Sequence, residues 1–399
     1  MKKIKFIALV LSCLIFSTSL LAKKKTSNYI EWAVIIANSE MKHNPKLWQA
    51  DFTKKPKWDY TQGLVAKSLI ELYKETKDTT YFNYVQEFSD YFIDKDGNIL
   101  TYKKSDYNID RLNGGKFLFD MYKFTKDEKY IKAIKLLREQ FETHPRVSQG
   151  GFWHKKRYPH QMWLDGLYMG SPFYAQCAKE FKEGDASWDD IANQFVLVDS
   201  VTLDKKTGLN YHGWDESREQ RWSNPETGTS PHFWSRAIGW YMMAMVDVLD
   251  FLPEKHPQRK QIIANLNRLA TALVKFQDNE TGMWYQVIDL GHKKGNYLES
   301  SGTAMFIYAM AKGVNKKYLP EELRAVASKA FCGLTTNATE KNADGTTSIT
   351  KACGVAGLGG DPYRDGSYEY YIGEIIRSDD PKVVGPFILA ALEMSKLCK

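Results

Sequence analysis

What this sequence has little of narrows its function first. Only five of its 399 residues are cysteine. Cys177, Cys332, Cys353 and Cys398 show no CxxC spacing, which argues against a zinc site and leaves a disulfide open without dictating one. No HExxH or comparable ligand spacing occurs, so no metal is expected. There is no GxxxxGK[ST] loop, and the glycine-rich stretch CGVAGLGGDPYRDGSYEYYIGE, Cys353 to Glu374, follows no alternating strand, so no nucleotide cofactor is expected. The formal net charge of +7 contains no long basic block, which argues against nucleic acid as a partner. Beyond residue 22 no run approaches the roughly 18 apolar residues that a membrane span requires.

The exception is the first 22 residues, MKKIKFIALVLSCLIFSTSLLA. Lys2, Lys3 and Lys5 precede an apolar run from Phe6 to Phe16 and then small residues up to Ala22, which reads as a secretory signal. Residues 23–399 would then form the mature chain, with a formal charge of +4 once those three lysines are gone. Export to the periplasm is expected. Lipidation of Cys13 is the second reading, because the preceding VLS suits it poorly. Aromatic residues are plentiful, with 11 Trp and 23 Tyr, and these are the rings that stack on sugars when they are not simply packing.

Internal repetition decides the organisation. WDYTQGLVAKSLIELYKETKD from Trp58, NIDRLNGGKFLFDMYKFTKDEKY from Asn108, WLDGLYMGSPFYAQCAKEFKEGD from Trp163, FWSRAIGWYMMAMVDVLDFLPEK from Phe233, YLESSGTAMFIYAMAKGVNKKYL from Tyr297 and VVGPFILAALEMSKLCK from Val383 share one plan. Each reaches a glycine (Gly63, Gly114, Gly166, Gly239, Gly302, Gly385) and continues as a helix apolar on more than one face. Between them run amphipathic segments such as DEKYIKAIKLLREQFETH and RKQIIANLNRLATALVKFQ, apolar on one side only. A helix apolar nearly all round belongs inside and an amphipathic one outside. Their alternation predicts an all-α, single-domain (α/α)6 barrel over residues 23–399, with the glycines letting inner helices approach closely.

In such a barrel the N-terminal ends of the inner helices surround one mouth, where the polar residues before each glycine converge: Tyr60, Asp110, Asp165, Trp234 with Arg236, and Glu299. Pro172 suits a helix first turn with Ser171 as its cap, which would set Asp165 at or just ahead of the helix. Asp is also a favoured N-cap, so a structural role competes with a catalytic one. Flanked by Trp163 and Tyr168 and near Asp110, however, Asp165 has two reasons to retain a proton, desolvation and like charge, as a general acid must. His212 in GLNYHGWDES and His154 in GGFWHKKRYPHQ sit among aromatics and read as hydrogen-bonding groups for substrate. Arg236 between Trp234 and Trp240 would suit a planar acidic sugar, with rings for its faces and a fork for its carboxylate. Arg364, in the late glycine-rich loop, is expected to face the same substrate.

In order, the motifs at Trp58, YNIDRLNGG, MWLDGLYMGSPF, YHGWDES, WSRAIGW, YLESSGTAMF and CGVAGLGG with YRDGSYEYY resemble the unsaturated rhamnogalacturonyl hydrolases, glycoside hydrolase family 105, related to the unsaturated glucuronyl hydrolases of family 88. The resemblance runs through essentially all of the chain after residue 22. It implies an (α/α)6 barrel, Asp165 as general acid/base and Asp110 as its partner carboxylate. It also implies sugar contacts by Tyr60, His154, Trp163, Met169, His212, Trp234, Arg236 and Trp240. No cofactor is implied. The implied substrate is an oligosaccharide ending in a 4,5-unsaturated uronic acid, and the implied reaction is hydration of its double bond. An unsaturated glucuronyl hydrolase acting on another uronate-containing glycan, an inverting glycosidase and a non-catalytic glycan-binding protein are the other readings, and the leaving sugar is not specified.

Overall fold

The computed structural model describes residues 28–398. The segment read as a secretory signal, residues 1–22 with Cys13, lies outside the described residues. Twelve long helices follow one another: α1 (28–43), α2 (Tyr60–Thr76), α3 (Thr79–Phe92), α4 (Gly115–Thr125), α5 (Glu128–Arg138), α6 (Leu164–Glu180), α7 (Asp185–Thr202), α8 (Ser235–Val248), α9 (Arg259–Val274), α10 (Ser300–Asn315), α11 (Leu323–Asn337) and α12 (Pro381–Leu397). The even-numbered helices pack side by side in chain order, and α12 returns against α2 to close a ring. Odd-numbered helices cover them from outside. This is the (α/α)6 barrel expected from the repeats.

Local sequence explains the hairpins. The segment Thr76-Lys77-Asp78 between α2 and α3 recurs as Thr125-Lys126-Asp127 between α4 and α5. In each, the lysine adopts the left-handed conformation (φ 62°) that ends a helix. The aspartate then accepts a hydrogen bond from the backbone N–H two residues on, at 2.9 and 3.0 Å, and starts the next helix. Burial follows the predicted division: Ser300 to Val314 of α10 are all buried, as are Pro381 to Ser395 of α12, whereas α3 and α5 bury one face only. The close approach is real at Gly63, where a Cβ would lie 2.6 Å from the Gly114 Cα, and at Gly302, where one would lie 2.8 Å from Ser235 Cβ.

Four two-stranded antiparallel pairs decorate the mouth and rim: β1 (Gln161–Trp163) with β2 (Gly213–Asp215), β3 (Trp284–Tyr285) with β4 (Leu298–Glu299), β5 (Thr339–Lys341) with β6 (Thr347–Ile349), and β7 (Ala352–Cys353) with β8 (Ile376–Arg377). The helix start expected near Pro172 is corrected: α6 begins at Leu164 and Pro172 lies inside it. Pairing of β1 with β2, Met162 opposite Trp214, fixes the chain up to Trp163, so the helix nucleates there and absorbs the proline two turns later. Asp165 consequently occupies the first turn. The four cysteines among the described residues are free thiols. Among the described residues no helix is long and apolar enough to cross a membrane.

Where α1 meets the strand β8 region, Glu40 is 2% exposed. Burial first, then the charges of Asp379 and Asp380, push its carboxyl up to about 8 from an ordinary 4.5, although Asn44 donates it a hydrogen bond. Between those two values the folded chain holds a proton that the unfolded chain releases, so folding stability falls as pH rises through that window. Glu40→Gln should therefore raise the melting temperature at pH 8.5 and change it little at pH 4.5. Thermal unfolding at the two pH values checks this, and an equal shift at both would contradict it.

Candidate active site

The N-terminal ends of α2, α6, α8 and α12 contribute Tyr60, Asp165, Arg236 and Lys382 to one cavity of about 140 Å³. The cavity also takes in Asp110, His154, Trp163, Met169, Trp234, Trp240 and Arg364. Ten of the eleven site residues expected from sequence thus line a single hollow. The eleventh, His212, is fully buried and lies behind Asp165. Glu299, also on the expected rim, is turned away: its two carboxylate oxygens accept from the Ser301 and Gly302 backbone N–H groups at 3.0 and 2.6 Å and cap α10.

Asp165 has a side chain only 12% exposed, with Oδ2 3.2 Å from His212 Nε2. The pair is within ion-pair reach without the alignment of a hydrogen bond. His212 is held in turn by Tyr371, whose hydroxyl lies 2.8 Å from Nδ1, and its backbone carbonyl accepts from Leu164 N–H at 3.0 Å. Burial first keeps the Tyr371 phenol well above its ordinary range, so it remains an O–H. A phenol that donates to Nδ1 leaves the imidazole proton on Nε2, facing the carboxylate.

Asp110 sits on a short 3-10 turn, Ile109–Leu112, opened by the Asn108 cap. Its neighbours are basic: Lys155 Nζ bonds Oδ2 and His154 Nε2 stands 3.5 Å from Oδ1. Burial, and next the charge of Lys155, push His154 well below its ordinary value, so it is a neutral ring, stacked on Trp163 with centroids 4.3 Å apart. The like charge expected between Asp110 and Asp165 is therefore countered by the ammonium on Asp110.

The aromatic walls are fixed from behind. Trp163 Nε1 donates to Gln161 and Trp234 Nε1 to Gln286, each at 3.1 Å, and Trp240 stacks on Tyr168 at 4.9 Å. Burial foremost, then Asp51 and Asp110, hold the Tyr60 phenol well above its usual range. Arg236 differs from the expected free fork. Nε donates to Ser301 Oγ at 2.8 Å, Nη1 to the Gly354 carbonyl at 3.1 Å and Nη2 to the Cys353 carbonyl. It fastens the loop that carries Val355 and Ala356 into the cavity.

Sequence reasoning missed Lys155, Arg157, Tyr158, Val355, Ala356 and Lys382, all of which line the cavity. Two signals were available. Lys155, Lys156 and Arg157 form a basic run directly after His154, and Lys382 stands three residues before Gly385, as Tyr60 and Arg236 stand before Gly63 and Gly239. Five cationic side chains line the cavity against two carboxylates. Lys155, Arg236 and Lys382 have acidic partners. Arg157 and Arg364 have none among the described residues, and both gather on Tyr158: Arg157 lies over its ring at 4.9 Å and Arg364 Nη2 donates to its hydroxyl at 2.7 Å. Such a hollow suits a sugar ring carrying one negative charge.

Residues 32–398 match the family model of Glycosyl Hydrolase Family 88. A glycoside hydrolase of family 105 from C. acetobutylicum ATCC 824 is similar in structure, with a TM-score of 0.87 and 47% identity, covering 91% of this chain and 98% of that one. Among curated proteins, the chain is 39% identical over 217 residues to protein Atu3128 of Agrobacterium fabrum, covering 53% of this chain and 92% of the relative. It is 27% identical over 289 residues to the unsaturated rhamnogalacturonyl hydrolase YesR of Bacillus subtilis, covering 70% of this chain and 77% of that protein.

Proposed function

Since this chain belongs to the glycoside hydrolase 88/105 family and is a glycoside hydrolase, we propose that it releases the terminal 4,5-unsaturated uronic acid from lyase-generated oligosaccharides, with unsaturated rhamnogalacturonan fragments as the favoured substrate. The observation that carries this reading is the cavity that joins Asp165 to an aromatic wall and an excess of cations. The secretory signal read in residues 1–22 would place this activity in the periplasm.

The substrate ring holds a vinyl ether conjugated to a carboxylate. Trp163, Trp234 and Trp240 enclose its faces, and the carboxylate meets Arg364, whose Nη1 has no protein hydrogen bond among the described residues, with Arg157 beside it. Asp165 gives its proton to C4. The cation that forms at C5 is shared with the ring oxygen, and a water adds there as the Asp165 carboxylate takes up one of its protons. The product is a hemiketal. Its ring opens to a ketone at C5, which leaves a hemiacetal at C1 that expels the remaining sugar chain. The anomeric carbon is never attacked.

His212 and Tyr371 act as positioning residues that aim Asp165, and Asp110, neutralised by Lys155, orders the C4 side of the ring. The chemistry assigned to these residues calls on no cofactor.

The direct test is incubation with lyase-generated unsaturated disaccharides. Loss of the ultraviolet absorbance of the conjugated alkene in step with sugar release is expected, and the saturated disaccharide should be inert. Cleavage of the saturated compound alone would replace this reading with that of an inverting glycosidase.

A further inference from the structure

A second cavity, of about 340 Å³, opens at the opposite end of the barrel, among the later turns of α2, α6, α8, α10 and α12. Apolar and aromatic side chains, including Tyr168, Tyr308, Phe251 and Leu389, share its wall with charged ones. Five of its lysines are matched: Lys67, Lys74, Lys312, Lys316 and Lys396 each have a carboxylate oxygen within 3.1 Å. Lys116 is the exception. It is 3% exposed, its Nζ has no hydrogen-bond partner, and among the described residues no carboxylate lies within ion-pair distance. It stands 3.3 Å from the centre of the Tyr168 ring.

An unpaired ammonium in such a place is costly. Burial first, then Lys67 on α2 and Lys312 on α10, push Lys116 well below its ordinary range, against the opposing pull of Asp247 on α8. Lys116 can therefore carry a proton at little cost only when one negative charge is added beside it.

We propose that this basal cavity binds a small polyhydroxy monocarboxylate of the uronic acid type, with its carboxylate on Lys116. A monocarboxylate supplies that one charge. Glu71, Asp247, Asp250 and Glu393 on the same wall repel a dianion such as sulfate and can accept hydrogen bonds from sugar hydroxyls. Tyr308 and Phe251, on the same wall, offer apolar surface to the sugar. Binding favours the ammonium form, which pairs with the ligand carboxylate, so protons are taken up from solvent as the ligand binds. Tyr168 also stacks on Trp240 of the catalytic cavity, which puts the two sites in physical contact. The inference does not depend on the reaction proposed above.

Calorimetric titration of the full chain with D-glucuronate at pH 8, in two buffers of different ionisation enthalpy, tests it. Wild type should show a site with net proton uptake, and Lys116→Met should raise the Kd of that site at least tenfold. Binding at the catalytic cavity is recognised by its persistence in the variant. Unchanged binding in Lys116→Met, or binding without proton uptake in wild type, would overturn the assignment. If Lys116→Met does not fold, Lys116→Gln and the wild-type proton count decide. Sulfate should not compete, and equal competition by sulfate would equally overturn it.

Discussion

Asp165→Asn should lower kcat on lyase-generated unsaturated disaccharides by about 10³-fold while the protein stays folded, because proton donation by a positioned acid is worth about 10²–10⁴. The amide matches the carboxyl in size, and the residue makes no aligned side-chain hydrogen bond whose loss would unfold α6: its nearest partner, His212, is at 3.2 Å but misaligned. The melting temperature should stay close to that of wild type. Initial rates from alkene absorbance, paired with thermal unfolding, check both halves. A glycan-binding protein without catalysis would give a variant indistinguishable from wild type in sugar binding and no turnover in either.

The second large effect is expected at Arg236. The residue is 1% exposed, and its guanidinium serves Ser301, the Cys353 and Gly354 carbonyls, and Glu299 at 3.7 Å. Arg236→Met fills similar space and removes every donor. Breaking a buried pair in this way leaves Glu299 without its cation and two carbonyls without their guanidinium donors, at a cost of about 3–5 kcal/mol. The loop carrying Val355 and Ala356 then loses its anchor, and kcat/KM should fall about 10²-fold. Arg236→Lys should recover little, since an ammonium cannot span the same acceptors. Denaturant unfolding and kcat/KM measure the two effects, and a variant as stable as wild type would contradict the anchoring role.

Legibility in the sequence followed the range of the interactions. The inner helices were readable because burial on all sides leaves an apolar stretch that outer helices cannot imitate, and the glycines mark where α2 and α4 nearly touch at Gly63 and Gly114. The same landmarks located Tyr60, Asp165 and Arg236 on the rim. Three things were not readable. The true start of α6 depends on β1 pairing with β2 some 50 residues away, which local signals around Pro172 oppose.

The use of Arg236 as a loop anchor depends on where Cys353 and Gly354 fall, fixed by the pairing of β7 with β8. His212 lies behind Asp165 rather than in the open cavity because Tyr371, from a short helix (Tyr368–Gly373) far along the chain, holds its other nitrogen. In each case a contact between distant segments overruled, or was invisible to, the local pattern.

The central claim is that Asp165 protonates C4 of an unsaturated uronate and that the glycosidic bond breaks only as a consequence. Proton NMR of the first turnovers in D₂O tests it most directly. The vinyl H4 signal should vanish at the rate at which free leaving sugar appears, with a CHD group formed at C4. Leaving sugar that accumulates while the vinyl signal persists would mean attack at the anomeric carbon and contradict the account.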